Sequence, residues 1–313
     1  MPGRLVLFGL APGRPRPDIV LSGSPERCAA RAAVEDADGR VFVLERLSPG
    51  QADRRRRIAR ALAGLHARSL PVAPYRPAPG GDFAPEADGA HWQLAPYVPG
   101  DPLPRPNYVD HVRRGESLGR FLADLHAAAP AVHDFDREPG FDLEHYADGL
   151  MAAIRARHPR LHAALAPVPP VLAPLFEAWP HLPASLCQGD FHPLNVLWRG
   201  QSVAAVIDWE FAGVRPALFD AANCLGCVGI EDPAALVKGL APALLRALRD
   251  SGRLDPENFA LLPETLLALR FAWLSEWLRR GDGEMIDLET RYMRLLANSL
   301  DTLLPAWKRI AGL

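Results

Sequence analysis

The chain has 313 residues, 49% of them hydrophobic and 23% charged, with a formal net charge of -2 at pH 7. This composition is typical of a globular protein and excludes a disordered or fibrous chain; without a basic excess we expect no nucleic-acid partner. Prolines and charges interrupt every apolar run before it reaches the roughly 20 residues of a membrane span. The first residues also lack the long apolar core and cleavage site of a signal peptide. We therefore expect a soluble, cytoplasmic protein, monomer or homodimer, with two packed lobes and no membrane partner.

Cysteine and lysine are both unusual in their distribution. The four cysteines are too scattered for a disulfide framework, and the pair Cys224 and Cys227 lacks a second pair of ligands for zinc. We interpret these two as small apolar residues on one face of a helix. Lysine occurs only at Lys238 and Lys308, so arginine supplies almost all of the positive charge.

The first third of the chain reads as a sheet followed by a helix. Extended patterns over 18–21, 28–35 and 40–47 are separated by turn-forming residues and predict an antiparallel meander. Over 51–68, Ile58, Leu62 and Leu65 form one apolar stripe, which predicts an amphipathic helix. A Pro- and Gly-rich stretch follows, and the extended run 92–98 then predicts a hinge between two lobes.

The rest of the chain has mainly helical spacing of its apolar residues. We predict helices near 118–125 and over 143–157, 233–250, 263–280 and 284–304. The expected fold class is therefore α+β, with an N-lobe over 1–95 and a C-lobe over 96–313.

The strongest chemical signal lies in the segment 188–197 and the strand that follows it. Asp190 stands in a loop, Asn195 comes five residues later, and Asp208 ends an apolar strand over 203–207, so a short hairpin would bring the three side chains together. Phosphoryl transfer uses a carboxylate to orient the attacking hydroxyl and oxygen ligands to hold Mg²⁺ beside a nucleotide. Taken singly, each residue could instead end a turn or cap an element.

The motifs GDFHPLN at 189–195 and IDWE at 207–210 resemble those of the aminoglycoside phosphotransferase and choline kinase superfamily. The resemblance implies a protein-kinase-like fold, with a small antiparallel-sheet N-lobe and a larger, mainly helical C-lobe. It also implies transfer of the γ-phosphoryl group of ATP to a hydroxyl of a small molecule, although ATP and GTP remain open. Carried over, it makes Asp190 the catalytic base, Asn195 and Asp208 the Mg²⁺ ligands, His192 a loop-stabilising residue and Asp220 a support of the site.

The nucleotide side departs from this pattern. Kinase-like folds carry a lysine on the third strand, paired with a glutamate of the next helix, whereas that strand here carries Glu45 and the helix carries Arg54, Arg55, Arg56, Arg57 and Arg60. We hypothesise that the two charges are exchanged and that Glu45 pairs with a helix arginine. This would free an arginine, Arg31 or one on the helix, to reach the phosphates; solvated arginines are the alternative.

The other nucleotide contacts are expected from the loop 22–27 and from the hinge. The resemblance implies that Ser24 covers the phosphates and that Val43 packs on the base, with Ala95 and Tyr97 at the hinge; alone, the loop reads as a hairpin turn.

The acceptor pocket is expected on the C-terminal helices. Arg270, Trp273, Glu276 and Trp277 have helical spacing. Glu210 could approach a second metal or the substrate, or equally form a partly buried ion pair. For the tryptophans we favour core packing over contact with the acceptor. Trp273 with Glu276 would suit a cationic acceptor and Arg270 an acidic one, so the sequence does not choose. Because the lysine is missing, a catalytically silent nucleotide-binding module is the alternative to an active enzyme.

Overall fold

The computed structural model describes residues 2–21, 23, 27–136, 138 and 140–313. An antiparallel sheet with the strand order β1-β2-β3-β5-β4 forms the N-terminal part. Its strands are β1 (Arg14–Pro15), β2 (Ala30–Glu35), β3 (Val41–Arg46), β4 (Glu86–Ala87) and β5 (Ala90–Pro96).

One face of this sheet forms a small apolar core. Val34, Leu44 and Leu94 are buried there against Leu5 and Phe8 of the 3₁₀ helix Pro2–Phe8. Because successive side chains of a strand point to opposite faces, Val43 and Glu45 lie on the other face, toward the rest of the protein. The meander thus presents Glu45 to the interior.

The first predicted strand, over 18–21, is wrong. The edge strand is β1, which pairs with the end of β2, and the chain then turns, with the Ile19 amide donating to the Arg16 carbonyl at 3.2 Å. The Arg16 amide makes the last ladder bond, to the Ala33 carbonyl at 2.9 Å, and a turn at Pro17 and Asp18 then leads the chain away from β2.

Helix α1 (Ala52–His66) confirms the amphipathic helix predicted over 51–68. Ile58, Leu62 and Leu65 are buried in the main core. Arg55, near the start of the helix, is also buried, with its side chain 3% exposed. A buried arginine needs acidic partners, and those of Arg55 are Glu45 and Glu210.

The C-terminal part is mainly helical and holds the large core. Its helices are α2 (Val112–Ala128), α3 (Leu143–Arg157), α4 (Pro159–Leu165), α5 (Val168–Val171), α6 (Ala173–Ala178), α7 (Phe219–Glu231), α8 (Leu240–Asp250), α9 (Pro256–Ala260), α10 (Leu262–Arg280), α11 (Gly283–Ala297) and α12 (Leu300–Ala311). Helices α2 and α8 pack closely because Gly119 faces Leu244: a Cβ on this glycine would lie 2.7 Å from the Leu244 carbonyl oxygen.

Two of the predicted helices are interrupted. The helix expected over 233–250 is a 3₁₀ turn, Pro233–Leu236, followed by α8, because Gly239 has a φ of 62° that breaks the helical path. The helix expected over 284–304 is two helices, α11 and α12, with Asn298 and Ser299 between them. Such residues compete with the backbone for hydrogen bonds, and the Ser299 hydroxyl donates to the Leu295 carbonyl at 2.7 Å.

Two antiparallel strand pairs position the loops that carry the chemistry. Strands β6 (Ala184–Cys187) and β9 (Gly213–Pro216) pair with each other, as do β7 (Val196–Arg199) and β8 (Ser202–Val206). The loop 188–195 joins β6 to β7, and the loop 207–212 joins β8 to β9. The two loops therefore start from adjacent strand pairs. The hairpin of β7 and β8 confirms the hairpin expected before Asp208.

The division into lobes at 95 and 96 stays a prediction; strand β5 continues to Pro96. Among the described residues no single helix is long and apolar enough to cross a bilayer, while one pair bent by 52°, Pro159–Val171 with Ala173–His181, meets the length and composition test.

Candidate active site

Gln188 joins the two loops of the site. Its side-chain amide donates to the carbonyl oxygens of Ile207 at 2.9 Å and Asp208 at 2.6 Å, and its side-chain oxygen accepts the Asp190 amide at 2.7 Å. The residue is fully buried. Gln188 thus sets the distance between the loop of Asp190 and the loop of Asp208. Sequence reasoning assigned it no role because glutamine has no chemistry of its own here.

Asp220 braces the same loop from the first turn of α7. Its carboxylate accepts the amide hydrogens of Gln188 at 2.6 Å and Gly189 at 2.9 Å. Burial raises the pKa of Asp220 to about 6, while the two amide donors act in the opposite direction. The supporting role expected for Asp220 is confirmed.

Asn195 and Asp190 are in direct contact. The Asn195 amide nitrogen donates to the Asp190 carbonyl at 2.9 Å and to its carboxylate Oδ2 at 3.2 Å. Because the nitrogen is used in this way, the amide oxygen of Asn195 is the atom left to act as a ligand. This is the orientation that a metal site would need.

His192 stabilises the loop. Its Nδ1 accepts the Leu194 amide at 3.3 Å, and its Nε2 lies 3.7 Å from Asp190 Oδ1. Burial lowers the pKa of His192, although Asp190 opposes this. A neutral imidazole that caps its own loop fits the structural role that the resemblance implies.

Asp208 occupies an uncommon backbone conformation at the end of the apolar strand. Its φ of 59° and ψ of 56° are left-handed, a region in which aspartate is enriched over most residues. The loop after β1 comes close to it: a Cβ built on Gly23 would lie 2.7 Å from Asp208 Oδ1. A larger residue at position 23 would therefore push against this carboxylate.

Arg27 lies among the acidic residues of the site. Its Nη2 is 2.8 Å from Asp190 Oδ2, its Nη1 is 3.0 Å from Glu210 Oε2, and its Nε is 3.9 Å from Asp208 Oδ2. The guanidinium also stacks over Phe211, 5.0 Å from the ring centre. Although burial opposes it, the surrounding carboxylates raise the pKa of Arg27. Sequence reasoning missed this residue; the available signal was that Arg27 is the basic residue of the loop 22–27.

Glu45 and Arg55 form the exchanged charge pair. Arg55 Nη1 lies 4.0 Å from Glu45 Oε2 and 2.5 Å from Glu210 Oε1, and Tyr75 donates to Glu45 Oε2 at 3.4 Å. Burial raises the pKa of Glu45, and the positive charge of Arg55 opposes that shift. Pairing of Glu45 with a helix arginine is thus confirmed, and Glu210 shares the same arginine. Glu210 therefore forms the partly buried ion pair that was one of its two expected roles.

A cleft runs between the sheet and the helical part. Val43, Glu45, Ala95 and Tyr97, four of the residues expected to contact a nucleotide, line it together with Asp208. Val43 and Ala95 are cross-strand partners in the sheet. Leu197 and Ile207 close the cleft from the other side. The fifth expected residue, Ser24, lies outside the described residues.

The acceptor residues expected on α10 divide into two groups. Trp273 packs its ring edge-on against His192, with ring centres 5.4 Å apart, and donates to Asn223 Oδ1 at 3.2 Å. Arg270 is 1% exposed and makes two 2.6 Å hydrogen bonds to Glu289. The expectation that Arg270 contacts the acceptor is therefore wrong. The guanidinium lies against the Trp273 ring inside the core, where Glu289 neutralises its charge.

Glu276 points away from this group. It bonds Arg279 and Arg280, which lower its pKa to about 2, and these partners sit on the exposed end of α10. Trp277 instead donates to Glu289 at 3.2 Å. The structure therefore brings Trp273 to the loop of Asp190 and His192 and leaves Glu276 in a surface ion pair.

Cys224 and Cys227 carry free thiols on α7, and burial raises the pKa of both. Within the described ranges no group of three or more His, Cys, Asp and Glu side chains is arranged to hold a metal ion. In phosphotransferases the protein commonly supplies one or two ligands and the substrate phosphates supply others, so a pair such as Asn195 and Asp208 suits that chemistry.

Solved structures with this fold include several phosphotransferases. Amicoumacin kinase hAmiN, in complex with AMP-PNP, Ca²⁺ and Ami, aligns with a TM-score of 0.65 at 13% identity over 96% of this chain and 94% of that one. A choline/ethanolamine kinase family protein from Mesorhizobium loti aligns with a TM-score of 0.59 at 16% identity, over 92% and 93%. The fold is therefore protein-kinase-like.

A model of the phosphotransferase enzyme family matches residues 29–262. The chain belongs to this family. Homoserine kinase from Methylobacterium nodulans is 32% identical over 180 residues, and that match spans 56% of the length of each protein. Homoserine kinase from Allorhizobium ampelinum is 27% identical over 228 residues, 71% of this chain and 69% of that one. The family match includes Asp190 and Asp208 and ends before Trp273.

Proposed function

We propose that the protein transfers the γ-phosphoryl group of ATP to a hydroxyl group of a small molecule, with Asp190 as the base. The observation that carries this proposal is the contact between Asn195 and Asp190 in a loop fixed by Gln188 to Asp208. Membership of the phosphotransferase enzyme family supports it. The cleft lined by Val43 and Tyr97 is the proposed nucleotide site.

Asp190 is suited to orient an attacking hydroxyl. Its side chain is 18% exposed, so a substrate can reach it while Gln188, His192 and Asn195 of the same loop stay buried. In the proposed step the hydroxyl oxygen bonds to the γ-phosphorus as the bond from that phosphorus to the β-phosphate oxygen breaks. The hydroxyl proton passes to Asp190, and ADP leaves with the electrons of the broken bond.

The oxygen atoms of Asn195 and Asp208 would hold a Mg²⁺ ion. They fit this group because both are hard oxygen donors, and because a cationic guanidinium, that of Arg27, is already accommodated beside Asp208. When bound, the metal would offset negative charge on the phosphate oxygens. In this scheme Gln188 and Asp220 keep the two ligands at a fixed separation, and His192 keeps the loop in shape.

The acceptor is proposed to be a small amino alcohol. Curated relatives are named homoserine kinases, and a microcompartment-associated aminopropanol kinase has the same fold, with a TM-score of 0.64. Trp273, held beside the loop of His192 by its bond to Asn223, offers an aromatic face for an amine. Homoserine and aminopropanol should therefore stand first in a panel that also includes sugars and aminoglycosides.

A catalytically silent nucleotide-binding module is the second candidate, and Glu45 in place of the lysine is the observation that favours it. The two functions separate in a coupled assay of hydroxyl-dependent ADP formation with Mg²⁺ and either ATP or GTP. Turnover that requires both the acceptor and Asp190 supports the enzyme. Nucleotide binding without turnover on the whole panel would favour the silent module.

A further inference from the structure

The unexplained feature of the site is which cation meets the nucleotide phosphates. A preorganised positive charge at this place normally contributes strongly to phosphoryl transfer. No lysine precedes Lys238 in the sequence, and the strand position that should carry it holds Glu45. The cation must therefore be an arginine near the cleft.

Two arginines near the cleft are committed to structural contacts. Arg55 is buried between Glu210 and Glu45 and donates to the Arg27 carbonyl oxygen at 2.8 Å. Arg31 donates to the carbonyl oxygens of Gly23 at 2.7 Å and Leu21 at 3.2 Å. Arg55 thus holds the backbone at Arg27, and Arg31, although it also lines the cleft, is bonded to the backbone at Leu21 and Gly23.

We infer that Arg27 is the phosphate-binding cation, and that in the nucleotide-free protein its guanidinium occupies the place where the metal and phosphates will bind. This inference rests on the proposed phosphotransferase function. Arg27 is 19% exposed and contacts Asp190, Asp208 and Glu210 at once. It therefore neutralises a cluster of carboxylates that would otherwise repel each other and the incoming nucleotide.

Arg27 would exchange one of its partners on metal binding. Its Nε lies 3.9 Å from the Asp208 oxygen that is a proposed metal ligand, so a divalent cation and the guanidinium compete for the same carboxylate. Like charges at this separation repel. Asp190 and Glu210 stay within reach of the guanidinium, and the phosphates of the nucleotide would replace Asp208 as its further anionic partner, since guanidinium binds phosphate in a fork geometry.

The pair Glu45–Arg55 would let the side chain of Arg27 turn while its backbone stays fixed. Arg55 binds the backbone oxygen of Arg27 at 2.8 Å, so the main chain is held while the side chain turns. Glu45 and Tyr75 in turn contact Arg55. Glu45 is accordingly a positioning residue: it fixes the arginine that anchors the phosphate-binding arginine.

The test measures two binding equilibria on the intact protein. For the nucleotide-free protein, titration with Mn²⁺ alone should give tighter binding to Arg27→Gln than to the wild type, by roughly 3- to 10-fold, because the competing guanidinium is gone. ATP with Mg²⁺ should bind the same variant about 10- to 100-fold more weakly, because a charge-assisted contact to phosphate is lost. Opposite shifts in the two affinities are expected of a side chain that serves both states.

Arg46→Gln is the matched control, since it removes the same charge from an exposed position of the same sheet, and both affinities should stay within about 2-fold of the wild type. Arg27→Lys keeps a cation without the fork, and should recover part of the ATP affinity while keeping Mn²⁺ binding weak. This variant also covers the case in which Arg27→Gln fails to fold.

The outcomes separate the two proposals. ATP binding by Arg27→Gln or Arg27→Lys that equals the wild type, or weaker Mn²⁺ binding to Arg27→Gln, would overturn the inference while the phosphotransferase proposal stands. Failure of the wild type itself to bind ATP with Mg²⁺ contradicts both proposals.

Discussion

Arg55 of α1 lies 2.5 Å from Glu210, the residue two positions after Asp208. A buried arginine of the N-terminal helix is thereby attached to the loop that carries a proposed metal ligand. In the usual kinase arrangement the helix supplies the acid and the strand the base. Here the helix supplies the basic residue, Arg55, and the strand supplies the acidic residue, Glu45. The contact between sheet, helix and site is therefore kept with its charges reversed.

The reversal predicts that restoring the lysine alone is harmful. Glu45→Lys places a cation beside the buried Arg55 and should destabilise the protein by about 2 to 4 kcal/mol in urea unfolding. Arg55→Glu should also destabilise, because it leaves Glu45, Glu210 and the new acid together. The double variant should recover more than about 1 kcal/mol relative to the sum of the single changes. Additive effects would show that the two residues do not interact.

Arg60 is the control for these substitutions. It lies on the same helix with its side chain 52% exposed, in an ion pair with Asp134. Exposed pairs contribute about 0 to 1 kcal/mol, so Arg60→Glu should have a small effect in the same assay. A loss as large as that of Arg55→Glu would indicate that helix charge alone matters.

Gly189 is predicted to be required by its conformation. Its φ is 87°, and a Cβ would lie 2.1 Å from the Phe211 carbonyl oxygen, so Gly189→Ala must move either the loop of Asp190 or the loop of Asp208. We expect a loss of at least about 2 kcal/mol of stability and a large fall in kcat, measured by thermal unfolding and by ADP formation.

Gly149→Ala is the matched glycine control. Gly149 lies inside α3, and a Cβ at this position would meet no atom within 4 Å, so alanine should raise stability by about 0.5 to 1 kcal/mol through its helix propensity. If Gly189→Ala and Gly149→Ala had the same stability and the same kcat, the close approach of the two loops at Gly189 would not be required for folding or activity.

Buried His126 predicts a specific pH dependence of stability. Burial lowers the pKa of His126 to about 4 from 6.5, so between these values the unfolded chain binds a proton that the folded protein does not. Stability should therefore fall as the pH drops from about 6.5 to about 4, by on the order of 2 to 3 kcal/mol from this group. His126→Gln should flatten the profile of unfolding free energy in this window.

His145, which is exposed on α3, is the control for this measurement. His145→Gln should leave the pH profile of the wild type in place. An unchanged slope in His126→Gln would mean that other groups cause any loss of stability in this window.

Much of the site could be predicted because its residues are close in sequence. Asp190 and Asn195 lie five residues apart in one loop, and the hairpin β7–β8 returns the chain to Asp208. When functional residues lie in one loop and an adjacent hairpin, the sequence predicts both which residues form the site and that they are in contact. The helix over 143–157 matches the bounds of α3 for the same reason, since one apolar face and an Asp142 cap define it locally.

What the sequence could not predict depends on contacts between distant segments. Arg27 meets Asp190 across 163 positions of sequence, and nothing near Arg27 indicates an acidic partner. Arg270 has helical spacing with Trp273, but its burial follows from Glu289 on another helix. The position of Glu45 in its strand indicates the exchanged pair, whereas the choice of Arg55 among five arginines depends on the packing of α1.

The most direct test of the proposed function is the rate of ADP formation by Asp190→Asn. With ATP, Mg²⁺ and the best acceptor of the panel, we expect kcat to fall by about 10²- to 10⁴-fold, because a general base is lost, while the affinity for ATP changes little. Asp124→Asn, at an exposed position of α2, should match the wild type. Acceptor-dependent turnover that survives unchanged in Asp190→Asn would contradict the assignment of Asp190 as the base of a phosphotransferase.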